Sequence, residues 1–364
     1  MKRERLSPAQ LQDFRSRLLA WYGKNARDLP WRRTCDPYAV WVSEIMLQQT
    51  RVAAVLEHYA RFLERFPSVL ALALAPEDEV LSVWSGLGYY RRARLLHRAA
   101  QVVVAEHRGS IPATAAGLRQ LPGIGDYTCA AIASISFSEP VAVVDGNVER
   151  VLMRVAGFAN AGSTATAGSI QKLAGKLVSP ERPGDFNQAM MELGAVVCLP
   201  RNPLCLQCPV HDLCHTRGEH RTAPAKKMVR RDVAHALMVR EQDGAVNVLL
   251  EQRPATVSLM AGMWELPEIA ATAAEEHDPV LTVRHAITNT NYTASILRLE
   301  SASTSLLRHN DRAQMWVRSN LLLELPLTGL TRKVLKRMGI LPEFEGLPAD
   351  GGENGVSNGL TPLQ

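Results

Sequence analysis

No apolar run in the chain reaches the roughly 20 residues that a membrane-spanning helix needs. The charges of Lys2, Arg3, Glu4 and Arg5 have no apolar stretch behind them, so a secretory leader is not expected. The expected setting is the cytosol of a bacterium-like cell, with the protein on the nucleoid through its partner. Thiols stay reduced there and disulfides are rare, so the six cysteines need another use. No repeat of solenoid length recurs, which sets aside stacked-repeat architectures. Neither sign of charge dominates. The net charge of +5 and pI of about 8.9 suit a polyanionic partner without requiring one. Charged residues at 21% and hydrophobic residues at 46% argue against wholesale disorder. A chain of 364 residues suits two domains, each with its own core.

Residues 8–215 contain few stretches that alternate like strands. Apolar residues recur there at helical spacing in 11–22, 39–66, 77–84, 91–107, 115–121, 127–137, 148–156, 169–177 and 187–197. Breaks bearing Pro or Gly separate many of them, as at Gly86-Leu87-Gly88 and Pro183-Gly184. Ser7 before Pro8 and Thr114 are N-cap candidates. Residues 216–232 are polar and basic and read as a linker, either simply solvated or touching phosphate. Beyond it the pattern alternates. Strands are expected at 233–239, 246–250, 281–287, 292–299 and 313–317, with a turn at Gln242-Asp243-Gly244 and a closing helix over 330–338. This predicts an α+β domain over 233–345 and a disordered tail over 346–364.

Four cysteines, Cys198, Cys205, Cys208 and Cys214, fall in a Cys-x6-Cys-x2-Cys-x5-Cys pattern. Zinc and a 4Fe–4S cluster both accept four thiolates. Zinc sites usually pair two short Cys-x2-Cys knuckles, and only one is present, so the unequal spacing favours iron–sulfur. Cys35 and Cys129 stand apart and read as small buried side chains. Leu121-Pro122-Gly123-Ile124-Gly125 lies between two helical segments. Its glycines permit a tight turn, and the amides opening the next helix can bind an anion. The pattern fits a helix-hairpin-helix that grips a DNA phosphate, or an ordinary helix corner. Asp145, in Val143-Val144-Asp145-Gly146-Asn147-Val148, stands where it can cap a helix and also serve chemistry.

Taken in this order, the hairpin, the Val-Asp-Gly-Asn-Val segment and the cysteine pattern resemble the endonuclease III superfamily of DNA glycosylases over roughly residues 10–215. Leu29-Pro30-Trp31-Arg32, Trp41 to Thr50, Gly86 to Tyr90 and Phe186 to Gly194 are similar to its MutY branch. Gly262-Met263-Trp264-Glu265-Leu266-Pro267-Glu268 resembles the opening of a Nudix box. The acidic continuation is missing, and residues 276–279 read Glu-His-Asp-Pro. A Nudix-like domain that binds rather than hydrolyses is therefore implied.

The resemblance implies a mainly α glycosylase domain with a 4Fe–4S loop. It implies a base-excision enzyme that removes adenine opposite 8-oxoguanine or G in double-stranded DNA, acting as a monomer. Glu44 lies among Val42, Ile45, Met46 and Leu47, a setting that raises a carboxyl pKa and suits a proton donor to the base. Asp145 would stabilise the oxocarbenium-like sugar. Tyr127 would support the carboxylates, and Asn147 would orient Asp145 or water. Tyr127 stands where lyase relatives carry lysine, which implies a monofunctional enzyme. Gln49 and Tyr89 would wedge the duplex, with Leu47 and Thr50 alongside. Arg27, Trp31, Arg32, Gln188 and Glu192 would meet the flipped adenine or opened strands. Leu121, Pro122, Gly123 and Gly125 would hold phosphate. Thr288 and Asn289 stand where MutY relatives have Ser and His that read 8-oxoguanine. Three rivals are an endonuclease III-like or mismatch thymine glycosylase, a non-catalytic iron–sulfur DNA-binding protein, and a Nudix pyrophosphatase with a helical appendage, which the broken box opposes.

Overall fold

The computed structural model describes residues 6–158, 164–219, 228–257, 259–270, 277–287, 289–300, 303–308 and 312–342. Thr288 and the tail expected over 346–364 lie outside these residues. Among the described residues, eleven α-helices precede the cysteine loop: α1 (Pro8–Asn25), α2 (Pro37–Leu47), α3 (Val52–Arg65), α4 (Val69–Leu74), α5 (Glu77–Trp84), α6 (Arg91–His107), α7 (Ala115–Leu118), α8 (Asp126–Phe137), α9 (Gly146–Ala156), α10 (Thr164–Leu177) and α11 (Pro183–Val196). Local chemistry sets their starts. Ser7 and Gln10 form a reciprocal capping box ahead of Pro8, and Asp36, Ser68, Thr114 and Asp145 each accept from a first-turn amide.

The helices form two lobes. One core gathers α2 to α6 and α8 around Trp41, Phe62 and Trp84. The other gathers α1 and α9 to α11 around Phe14, Leu152 and Phe186. α11 is the seam. A Cβ on Gly184 would stand 2.8 Å from the main chain of Ser134 and Ile135 on α8, and one on Gly194 would stand 2.6 Å from Asn147 on α9. Absent side chains thus let α11 touch both neighbours, fixing Tyr127 on α8 and Asp145 at the start of α9 relative to one another. The 39–66 segment is two helices, α2 and α3. Gln49 interrupts it with a left-handed φ of 56°, and no Gly or Pro marks the place.

The second domain is a mixed sheet of β1 (Val229–Gln242), β2 (Ala245–Gln252), β3 (Trp264–Glu265), β4 (Leu281–Ile287), β5 (Thr290–Leu299) and β6 (Gln314–Arg318), with α12 (Gly329–Arg337) packed on one face. The order is β3-β2-β1-β5-β4, with β6 on β2. β1 and β5 run parallel; the other pairs are antiparallel. The hairpin turn has φ of 52° at Asp243 and 69° at Gly244, the mirror-image geometry that suits strand twist. β1 starts at Val229, so the last four residues assigned to the linker belong to the sheet; ten rungs of parallel pairing with β5 draw them in.

The domains dock at the α5–α6 corner. Ser82 donates to the Leu323 carbonyl at 2.7 Å, Tyr90 to that of Leu327 at 2.9 Å, and Arg94 to that of Ala261 at 2.5 Å. Met263 is fully buried in the core of the first lobe. Gly184→Ala should wedge α11 off α8 and destabilise the first domain by about 1–3 kcal/mol, the usual cost of overpacking. A urea midpoint unchanged from wild type would show that the seam tolerates a methyl group.

Candidate active site and iron–sulfur loop

The seam between the lobes collects the acidic residues. Glu44 on α2 is 5% exposed, with Trp41, Val42, Ile45 and Met46 buried around it. Tyr127 donates its hydroxyl to Glu44 Oε2 at 2.6 Å and also lies 3.3 Å from Met191 Sδ. Burial pushes the Glu44 carboxyl up to about 7. The Tyr127 hydrogen bond opposes this, the charge of Asp145 adds to it, and Arg32 opposes it. Tyr127 is itself raised well above its ordinary value, by burial first and then by Glu44.

Asp145 takes the capping position open to it in the sequence. Oδ1 accepts from the Val148 amide at 2.7 Å, capping α9, and Oδ2 accepts from Asn147 Nδ2 at 3.0 Å. Asn147 is held in turn, because its Oδ1 accepts from Arg150 Nη2 at 2.8 Å. Arg150 also donates to the Cys198 carbonyl at 2.8 Å.

Glu192 on α11 has a fully buried side chain. It receives Arg27 through Nε and Nη2, each at 2.7 Å, and Arg32 Nη2 at 2.8 Å. Burial works to raise this carboxyl, but the hydrogen bonds from Arg27 and Arg32 outweigh it and hold it at about 2. Glu192 thus sets the two arginines rather than reaching out itself. Gln188 accepts from the Tyr22 hydroxyl at 3.1 Å, and Trp31 is buried edge-on against Tyr59.

Other expected site residues lie on turns. Gln49 and Tyr89 are both exposed and both left-handed, with φ of 56° and 50°. Such geometry costs a residue other than glycine on the order of 1–3 kcal/mol and marks a position held by its surroundings. Leu47 is half-buried. Thr50 directs its hydroxyl to Arg92 rather than outward. In the hairpin, Leu121 is buried and Gly123 has φ of 77°, with Leu95 2.6 Å from where a Cβ would be. Both facts require glycine there. Gly125 caps α8, and Asp126 at its first turn is neutralised by Arg119 at 2.7 Å.

A cleft is lined by Gln49 and Tyr89 on one side and by Met260, His285, Ala286 and Ile287 on the other. The β4–β5 hairpin that carries Asn289 therefore borders the cleft. The Asn289 carbonyl accepts from the Val229 amide at 2.9 Å. Farther off, the Nudix-like segment has its acids engaged. Arg253 contacts both oxygens of Glu265 at 2.7 and 2.8 Å, and Arg308 pairs with Glu268 at 2.5 Å.

The four loop cysteines form no disulfide and line one cavity with Val151, Arg154, Val155, Leu193, Val197 and Val210. Arg154 is 1% exposed. It donates to Cys198 Sγ at 3.3 Å and to the carbonyls of Leu199 and Pro200. Its Nε finds no acceptor among the described residues. A buried cation so placed calls for an anionic neighbour, and four thiolates around an iron–sulfur cluster carry that charge. The residues present fit the group. Sequence reasoning missed Arg154; the available signal was one arginine among the apolar positions of α9.

A model of the HhH-GPD superfamily of base excision DNA repair proteins matches residues 42–180, and one of the iron–sulfur binding domain of endonuclease III matches residues 198–214. An adenine DNA glycosylase of Schizosaccharomyces pombe is 34% identical over 323 residues, with 71% of this chain and 70% of that protein covered. The chain belongs to the adenine DNA glycosylase family. The family member from Mus musculus is 42% identical over 324 residues; 74% of this chain matches, against 63% of that protein, so the chain spans less than two thirds of its length. Among solved structures, a thermostable thymine-DNA glycosylase superposes with a TM-score of 0.54 at 31% identity, covering 57% of this chain and 96% of that one. Cys198, Cys205, Cys208 and Cys214 all fall within the matched iron–sulfur segment.

Purified protein should be yellow-brown, with broad visible absorbance and about four irons per chain. Stoichiometric zinc without iron in colourless protein would exclude the cluster. The raised Glu44 carboxyl gives a second outcome. The folded state holds this proton more tightly than the unfolded state, so ionising it costs stability as pH rises from about 4.5 through about 7. Glu44→Gln should therefore be more stable than wild type at pH 8, by as much as about 3 kcal/mol. The difference should close toward pH 4.5. A gap that does not change with pH in urea titrations would contradict the assignment.

Proposed function

We propose that the protein hydrolyses the N-glycosidic bond of adenine mispaired with 8-oxoguanine or G in duplex DNA. The observation that carries this is the pairing of two differently furnished carboxyls at one seam. Glu44 is buried and raised to about 7, and Asp145 is anchored at a helix start by Val148 and Asn147. A carboxyl that burial keeps protonated, set beside a second acid, suits the acid and the anion of glycoside cleavage.

The adenine must leave the helix stack before a side chain can reach it. Gln49 and Tyr89 fill the gap, with Leu47 beside them and Trp31 and Thr50 holding their surroundings. Arg27, Arg32 and Gln188 contact the extruded nucleotide, the arginines set by Glu192. Leu121, Pro122, Gly123 and Gly125 hold a backbone phosphate. Glu44 gives its proton to a ring nitrogen of the base, and the bonding pair of the glycosidic bond leaves with the adenine. The Asp145 carboxylate stabilises the positive sugar. Water then adds to the sugar carbon, and its proton passes to a carboxylate. Tyr127 spends its hydroxyl on Glu44 and has no amine with which to form a Schiff base, so the product is an intact strand with an abasic site. Thr288 and Asn289 read the lesion. Residues 8–215 are the glycosylase unit, 216–228 its basic connector and 229–345 the lesion-reading unit of a monomer.

The test uses duplexes carrying A opposite 8-oxoguanine, A opposite G, T opposite G, or thymine glycol. Excision should be confined to adenine, with strand breaks only after alkali. Glu44→Gln and Asp145→Asn should bind the same duplex yet lose excision by at least about a hundredfold, the usual worth of a positioned proton donor or charge. Wild-type excision by either variant, or efficient borohydride trapping, would overturn the reading. The rate should fall as pH rises through about 7, as Glu44 loses its proton. Tyr127→Phe removes a hydrogen bond that favours the ionised form, so it should move that limb to higher pH.

A further inference from the structure

Arg92, in the first turn of α6, makes a set of contacts that no ordinary surface arginine makes. Nη1 donates to the carbonyls of Ile45 at 2.9 Å, Met46 at 3.0 Å and Gln48. Nη2 donates to Thr50 Oγ1 at 3.0 Å and to the Gly88 carbonyl at 3.3 Å. The guanidinium also lies over two rings, 5.6 Å from the centroid of Trp84 and 5.2 Å from that of Tyr89.

These acceptors are main-chain carbonyls and one hydroxyl, with no carboxylate among them. Burying a cation without an anion is unfavourable, and packing alone would be served as well by an apolar side chain. What the guanidinium does is join two turns. The carbonyls of Ile45, Met46 and Gln48 end α2, where a cation completes acceptors that helical pairing leaves open. The Gly88 carbonyl and the Tyr89 ring belong to the turn before α6. Each turn holds one exposed residue in the left-handed region, Gln49 and Tyr89. Arg92 thus explains why a helix stops at Leu47 with no glycine or proline to stop it. Burial lowers its pKa to about 10, which leaves it charged at neutral pH.

We propose that Arg92 is a positioning residue for base extrusion, latching the 47–50 and 86–90 turns together so that Gln49 and Tyr89 enter the duplex as one rigid wedge. This rests on the reading of Gln49 and Tyr89 as the wedge. Lysine keeps the charge but cannot span two turns with a planar fork. Misplacing a positioning group by an ångström can slow a step on the order of 100-fold.

The experiment follows extrusion directly, by stopped-flow fluorescence of 2-aminopurine placed as the target base opposite 8-oxoguanine, with full-length protein. Four proteins are compared with wild type: Arg92→Lys, the milder Thr50→Val, Gln49→Ala/Tyr89→Ala, and Arg92→Lys in that double background. Arg92→Lys should slow extrusion on the order of 10- to 100-fold, with unchanged visible absorbance of the cluster. Thr50→Val, which removes one acceptor and leaves Arg92 in place, should slow it in the same direction by less. The double variant should be slowed as much as Arg92→Lys, and adding Arg92→Lys to it should change nothing more, because the latch acts only through the wedge. Multiplying effects in the triple variant, or wild-type extrusion in both Arg92→Lys and Thr50→Val, would overturn the latch while leaving the wedge standing. Wild-type extrusion by Gln49→Ala/Tyr89→Ala would remove the wedge reading and the latch with it.

Discussion

The site depends on keeping one carboxyl out of water. Glu44 is the sole acidic residue of α2, and its neighbours on that helix are Trp41, Val42, Ile45 and Met46. Ionising it would place a charge in an apolar wall, so its proton is retained close to neutrality. The remainder of the first domain serves this arrangement. α11 closes the seam from below through glycines at both ends, α8 brings one hydroxyl to the carboxyl, and α9 presents a second acid from the opposite lobe.

Glu192 shows the contrary solution to the same problem. It is buried even more completely, yet two guanidinium groups surround it and hold it near 2. The two acids share a seam and a degree of burial, and they differ in their counter-ions. Desolvation raises a carboxyl, and a fork of donors lowers it again. The fold therefore maintains one protonated and one ionised carboxyl a few side chains apart at a single pH.

Much of this was legible in the residues because the signals were local. Helical spacing marked 91–107, which matches α6 at both ends, and alternation marked 281–287, which matches β4. The cysteines are near one another in sequence, so their common cavity followed from spacing. What escaped depends on partners distant in the chain. The break at Gln49 carries no turn residue, because its cause is an arginine more than forty positions away. Arg154 looks like an error on an apolar face until the cysteine loop folds over it. The early start of β1 is set by pairing with β5, some sixty residues on. Glu192 read as a substrate contact because its motif names it; its burial under Arg27 and Arg32 is a tertiary fact.

The docking of the two domains rests on a few hydrogen bonds to main-chain carbonyls at the α5–α6 corner and on the buried Met263. Between two separate proteins such a contact would depend on their concentration. The covalent path from Glu219 to Met228 alters that, since a short tether presents each domain to the other at an effective concentration in the ~millimolar range. The contact is then held by the tether as well as by its own hydrogen bonds. Whatever loosens one of those bonds is opposed by the chain itself, which returns the same two surfaces to each other.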